Sequence, residues 1–133
     1  EQDCSQFLCE IFATVGITLP RNSTKQARIG MPVPGFAAND GDDQKTIELS
    51  SSALPAATIL RLPGHIMLYL GTVDGKPYAI HSTWGYKEMR GWKEITRLIN
   101  RVTVSTLELG SGTQKGTHLH RITDARIVTD PEY

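Results

Sequence analysis

The sequence lacks a charge imbalance and long apolar runs, and each absence excludes a class of protein. Its 14 Lys and Arg side chains equal its 14 Asp and Glu side chains in number, so no net field attracts it to nucleic acid or anionic lipid. Basic and aromatic residues form no interleaved stripe, which further argues against a nucleic-acid partner. No apolar run approaches the roughly 18 residues of a membrane-spanning helix.

Cysteine is also scarce, with only Cys4 and Cys9 in the chain. On one helix their Cα atoms would lie roughly 8 Å apart, with side chains about 140° apart around the axis. A disulfide requires Cα atoms within about 7 Å, so we expect two free thiols.

The remaining composition is that of a globular domain. The chain has 133 residues, 39% of them apolar and 21% charged, enough for one hydrophobic core. It opens on Glu1 without an initiator methionine, and we expect that a preceding segment has been removed.

The hydrophobic pattern predicts one helix followed by a series of strands. Apolar residues recur at helical spacing over residues 4–16, with Asp3 as a candidate N-cap and Gly16 as a stop. Residues 21–57 are rich in turn formers and are predicted to be mostly loop, with a short helix near Ser23–Arg28. A loop and a short helical turn are predicted for Tyr86–Arg97.

Five segments after residue 57 have strand character. They are Thr58–Leu62, His65–Gly71, Pro77–Thr83, Asn100–Glu108 and Ala125–Val128. A helix followed by antiparallel strands predicts an α+β fold.

Cys4 is the candidate nucleophile. The helical wheel places it in the first turn, within some 70° of the apolar face that packs on the sheet. A thiol at a helix N-terminus lies at the positive end of the helix dipole, which favours the thiolate. A small buried apolar residue is the alternative interpretation of Cys4.

His65 and His81 are candidates for the base and its orienting partner. A thiol peptidase needs an imidazole near the sulfur and a polar group on the far nitrogen of that imidazole. A two-residue turn at Asp74-Gly75 would pair His81 with Leu68 and point the two imidazoles to opposite faces. We therefore expect a loop of three or five residues centred on Asp74, which pairs His81 with Met67.

Several motifs stand in a characteristic order along the chain. They are Asp3-Cys4-Ser5, residues 16–23 with Gln26, Pro63–Gly71, and Ile80-His81. In this order they resemble the NlpC-type cell-wall cysteine peptidases. Residues 62–69 and 81–85 resemble most closely the subgroup that carries bacterial SH3-type domains.

The resemblance implies a papain-like fold, in which a helix bearing the nucleophile packs on an antiparallel sheet. It implies cleavage of peptidoglycan stem peptides, typically between D-γ-glutamate and a diamino acid, by a triad of Cys4, His65 and His81 without a cofactor or metal. Asp3 and Ser5 resemble the residues that hold the free amine of the stem. We further expect Arg21 and Trp84 to contact substrate; an ion-pair role for Arg21 and an aromatic cap for Trp84 are the alternatives.

The resemblance covers most of the chain and implies one catalytic domain over residues 1–133, and we expect the preceding segment and any SH3-type domains to be absent. It implies a monomer in the bacterial cell envelope or secreted from the cell. The sequence departs from the family at Gln6, where glycine is usual. Family members also carry a groove-lining segment before the nucleophile, and we expect that segment to be missing here. A wall-binding module with impaired catalysis is therefore an alternative function.

Two other functions are alternatives to a cell-wall peptidase. His118 and His120 would share one side of a strand and could hold a metal, but no CxxC or HExxH spacing accompanies them. Related acyltransferases carry the histidine before the cysteine. The order Cys4, His65, His81 therefore favours a peptidase or amidase.

Overall fold

A computed structural model describes residues 4–128 of the chain, which form helices on both faces of one sheet. The helices are α1 (Cys4–Ala13), α2 (Ser23–Gln26), α3 (Asp42–Ser52) and α4 (His118–Arg121). The strands are β1 (Met31–Pro32), β2 (Thr58–Leu62), β3 (His65–Val73), β4 (Lys76–Arg90), β5 (Lys93–Thr106) and β6 (Asp124–Ile127). All strand pairs in the order β1-β6-β2-β3-β4-β5 are antiparallel, so the predicted α+β fold is confirmed.

Helix α1 covers one face of the sheet. Phe7, Leu8 and Phe12 are buried against Ile66 and Leu68 of β3. The helix ends at Ala13, because the chain then turns tightly towards Gly16 at a φ of 83°. The predicted helix over residues 4–16 is thus one turn too long.

The opposite face of the sheet is covered by α3 and α4. Leu49 of α3 and Leu119 of α4 join a buried cluster with Met67 and Tyr69 of β3. The prediction of loop over most of residues 21–57 was wrong for α3. This helix buries only Lys45 and Leu49, four residues apart, so it has almost no apolar pattern for a sequence to reveal.

The β3–β4 hairpin has a two-residue turn at Asp74 and Gly75, with Val73 paired to Lys76. Both turn residues have positive φ, as a tight hairpin turn requires. The expected longer loop was wrong, and the register shift comes instead from a bulge between Tyr69 and Gly71. Glycine at 71 permits it, since φ there is 135°.

The β4–β5 hairpin is the longest feature of the sheet. Strand β4 continues to Arg90 and β5 begins at Lys93, so the loop and helical turn predicted for 86–97 were wrong. Trp92 lies at the tip and is 99% exposed. Propensity did not reveal these strands because much of the hairpin projects beyond the core, with few buried residues to create an alternating pattern.

Among the helices of residues 4–128, none has the length and apolar character needed to cross a membrane.

Candidate active site

His65 and His81 form the centre of the candidate site. Nε2 of His65 lies 2.7 Å from Nδ1 of His81, a hydrogen-bond distance. The bulge in β3 makes this contact possible: Leu68 pairs with Ile80, and the same register places His81 opposite Met67. Both imidazoles therefore lie on one face of the sheet, as a shared catalytic role requires.

Ser105 extends this pair on the neighbouring strand. Nε2 of His81 lies 2.8 Å from the Ser105 hydroxyl oxygen. Thr103 pairs with His81, and Ser105 stands two residues further along β5 on the same face. The sequence marked this segment as a strand but not its register, so Ser105 was missed as a site residue.

His118 is a third imidazole at the site. Its ring centroid lies 5.7 Å from that of His65 and 6.0 Å from that of His81. The side chain is only 6% exposed, and its Nδ1 is buried without a hydrogen-bond partner. The strand considered for residues 118–120 is instead the one-turn helix α4. Within residues 4–128, no group of three or more His, Cys, Asp or Glu residues has metal-binding geometry.

Burial sets the protonation of all three imidazoles. It lowers the pKa of His65 to about 3, with further lowering by His81, His118 and Arg121. Burial also lowers the pKa of His81 to about 4. For His118 burial again comes first, and His81 and Arg121 add to it, giving a pKa of about 4. The cluster is therefore neutral at pH 7 in the free protein.

These low pKa values predict that the free energy of unfolding decreases progressively in mild acid. Between about pH 4 and 6.5 the unfolded imidazoles are protonated and the folded ones are not, so the unfolded state binds more protons. The free energy of unfolding should be highest above about pH 6.5. As the pH decreases below this value, it should fall by up to about 1.4 kcal/mol per pH unit for each histidine. Urea unfolding between pH 7.5 and 5 measures this slope, and His118→Leu should reduce it. A stability independent of pH in this range would contradict the assigned burial of the imidazoles.

Cys4 is the first residue of α1 and is partly buried against the apolar cluster between that helix and the sheet. The structure records no hydrogen bond between its thiol and His65 in the described part of the chain. The hydrogen bond of His65 to His81 uses Nε2, which leaves Nδ1 for another partner. The structure therefore brings the two histidines together and places Cys4 at the helix start, without a direct bond between them.

Cys9 has a different environment from Cys4. Its thiol lies 3.3 Å from the carbonyl oxygen of Pro20 and 3.6 Å from that of Leu19, and it can donate to either. The buried amide of Gln26 donates to the Cys9 sulfur at 3.3 Å and to the Pro20 carbonyl at 2.7 Å. Both cysteines are free thiols, as predicted. Cys9 thus belongs to a network that fastens α2 to α1.

The predicted substrate-binding residues are only partly brought together. Arg21 donates from Nη1 to the Ser5 hydroxyl at 3.3 Å, beside the start of α1. Trp84 lies in β4, and its contact with substrate stays a prediction. Asp3 lies outside the described residues.

This fold is found in a solved structure of known class. That structure is of an NlpC/P60 endopeptidase from Photobacterium damselae subsp. piscicida, with a TM-score of 0.76 and 20% identity. The similarity covers 94% of this chain and 33% of that protein, so this chain spans about a third of its length. At this identity the likeness establishes the fold, an antiparallel sheet with helices as in the endopeptidase. No protein-family model matches the sequence, and no curated protein matches it.

Proposed function

We propose that the chain is a cysteine endopeptidase of the NlpC type that hydrolyses peptidoglycan stem peptides, at the bond between D-γ-glutamate and a diamino acid. The observation that carries the proposal is the hydrogen bond between His65 and His81, in a fold with Cys4 at the start of a helix. The similarity of that fold to an NlpC/P60 endopeptidase supports the same class. The order of motifs along the chain adds the SH3-associated subgroup and a location in the bacterial envelope or outside the cell.

In the proposed reaction Nδ1 of His65 takes the Cys4 thiol proton, and the resulting thiolate attacks the carbonyl carbon of the scissile amide. The same nitrogen then donates this proton to the leaving amine as the C–N bond breaks. Water then attacks the thioester and releases the acid product, returning the proton through His65. The backbone N–H of Cys4, in the first helical turn, has no intrahelical partner and is the candidate oxyanion donor.

The roles of His81 and Ser105 follow from the direction of the hydrogen bonds. When His65 holds the extra proton, its Nε2–H donates to Nδ1 of His81. His81 then carries its own hydrogen on Nε2 and donates it to the Ser105 oxygen. The chain orients the His65 ring and stabilises its charge during the reaction.

The test of the proposed function is digestion of purified peptidoglycan, with the released peptides identified by mass. We expect two kinds of fragment: one that ends in D-glutamate and one that begins with a diamino acid. Release of glycan fragments alone, or cleavage at another peptide bond, would contradict the assigned specificity.

A wall-binding module without catalysis is the second candidate, favoured by the lack of a hydrogen bond between Cys4 and His65 among residues 4–128. It predicts co-sedimentation with peptidoglycan sacculi while no peptide is released. Binding together with release supports the peptidase.

Replacing Ser105 with alanine should lower kcat about fivefold with little change in KM, because a positioning hydrogen bond is worth about 1 kcal/mol and acts mainly on the charged His65. Ser105→Thr keeps the hydroxyl and should restore most of the rate. Thr96→Ala, on an exposed part of the same strand, is the control. Steady-state kinetics with a synthetic stem peptide, measured over pH, separates the variants. Equal rates for Ser105→Ala and wild type would remove Ser105 from the mechanism.

A further inference from the structure

One cavity adjoins His65, and a second cavity shares part of its lining. The first is about 220 Å³ in volume, and its walls include His65, Pro63 and Thr83. The second is about 140 Å³, and its walls include Lys87, Lys115 and Thr113. Gly85, His118 and Arg121 line both cavities, and the two are together called the depression beside His65.

The charged side chains that line this depression are all positive. Arg121, Lys87 and Lys115 line it, and no acidic residue does so among the described residues. Lys87 is paired with Glu94 at 3.7 Å. Arg121 makes a hydrogen bond to the Pro63 carbonyl at 3.3 Å, and in residues 4–128 neither it nor Lys115 has a carboxylate partner. Arg121 and Lys115 therefore line the second cavity without a carboxylate partner among the described residues.

His118 adds a polar group between the cavities. Its side chain is 6% exposed, and its buried Nδ1 has no hydrogen-bond partner among the described residues. Burying this nitrogen without a partner is unfavourable, since an unsatisfied polar group costs about 1–3 kcal/mol. Together with two unpaired cations, it is the environment expected of a ligand site that no protein group fills.

We propose that Arg121, Lys115 and His118 form a subsite for a carboxylate of the substrate, close to the scissile bond. Arg121 binds the carboxylate by charge-assisted hydrogen bonds, Lys115 contributes a second positive charge, and the neutral His118 ring contributes a hydrogen bond. The inference rests on the proposed function, because stem peptides carry carboxylates on both sides of the bond in question. These are the α-carboxylate of D-glutamate and the carboxylate of the diamino acid.

The test compares four synthetic peptides that contain L-Ala, D-γ-Glu and a diamino acid. One has both carboxylates free, two have one carboxylate amidated, and one has both amidated. Binding is measured by calorimetry to Cys4→Ala, so that it does not depend on turnover. Amidation of the recognised carboxylate should weaken binding about tenfold or more. The singly amidated peptide that shows this loss identifies which carboxylate is recognised.

The matched variants are Arg121→Gln and Lys25→Gln, each combined with Cys4→Ala. Arg121→Gln should weaken the free acid to the level of its amide, whereas Lys25→Gln, on exposed α2, should not. If loss of the hydrogen bond to Pro63 unfolds Arg121→Gln, Lys115→Gln serves as a second variant. Lys115→Gln should reduce the preference for the free carboxylate over its amide. Equal binding of all four peptides to Cys4→Ala, or a preference that survives both substitutions, would overturn the subsite.

The outcomes separate the two proposals. Cleavage of all four peptides by wild type at equal kcat/KM keeps the peptidase and rejects the subsite. A carboxylate preference in binding without any cleavage by wild type keeps the subsite and rejects the peptidase. The absence of both binding and cleavage rejects the two together.

Discussion

Replacing Cys4 with alanine is expected to reduce hydrolysis of a stem peptide by at least about 10³-fold, because no other group then forms the covalent intermediate. Cys4 begins α1, where the first backbone N–H groups and the helix dipole favour a thiolate and an oxyanion. The same substitution should leave the melting temperature within a few degrees of wild type, because the side chain is only partly buried. Peptide release followed by mass spectrometry, with thermal unfolding of the same samples, measures both.

Cys9→Ser is the matched control for the second thiol. It keeps a donor towards the carbonyls of Leu19 and Pro20 and should retain most of the activity. Alkylation by iodoacetamide gives an independent measurement. Labelled Cys4 with lost activity is expected, and full activity of Cys4→Ala would remove the thiol mechanism altogether.

Replacing Lys45 with methionine is expected to lower the free energy of unfolding by about 3 kcal/mol or more. The Lys45 side chain is fully buried, and its ammonium donates to three carbonyl oxygens of α4 and its C-cap residue. Those of Leu119, His120 and Ile122 lie at 3.1, 2.8 and 2.9 Å. Methionine fills the volume but leaves these acceptors unsatisfied, so a drop in melting temperature of about 10 °C is expected.

Lys45 also links stability to the site, because the helix it holds carries His118 and Arg121. Burial lowers the pKa of Lys45, and Asp42 and Asp40 act in the opposite direction by attraction. We therefore expect Lys45→Met to reduce peptide cleavage as well as stability. Lys25→Met, on the exposed surface of α2, is the control and should change neither. Unchanged melting of Lys45→Met would show that the three carbonyls find other partners.

The local pattern was sufficient for elements whose burial is regular. Strand β2 begins and ends where it was predicted, since every second residue or more of Thr58–Leu62 is buried. Helix α1 was predicted because Phe7, Leu8 and Phe12 recur at helical spacing. Helix α3 and the outer β4–β5 hairpin were missed because few of their side chains are buried, and periodicity reports burial.

The candidate site shows the same division. The motifs proposed Cys4, His65 and His81 from residue type and order. Ser105 and His118 have no such mark, because a serine in a strand and a histidine in a short helix occur in many places. Only the pairing of β5 with β4 and the return of α4 under the sheet bring them beside His81.

The sequence by itself determined the α+β class, the start of α1 at Cys4, the free state of both thiols and the strands that carry His65 and His81. Composition, helical spacing and turn residues act over a few neighbours, so they can be read along the chain. Tertiary structure decided which face His81 occupies. A one-residue bulge between Tyr69 and Gly71 shifts the pairing of β3 with β4 by one residue, which places His81 on the same face as His65. It also decided the burial of Lys45 beneath α4, since a contact spanning some 75 positions of chain depends on packing rather than on local pattern.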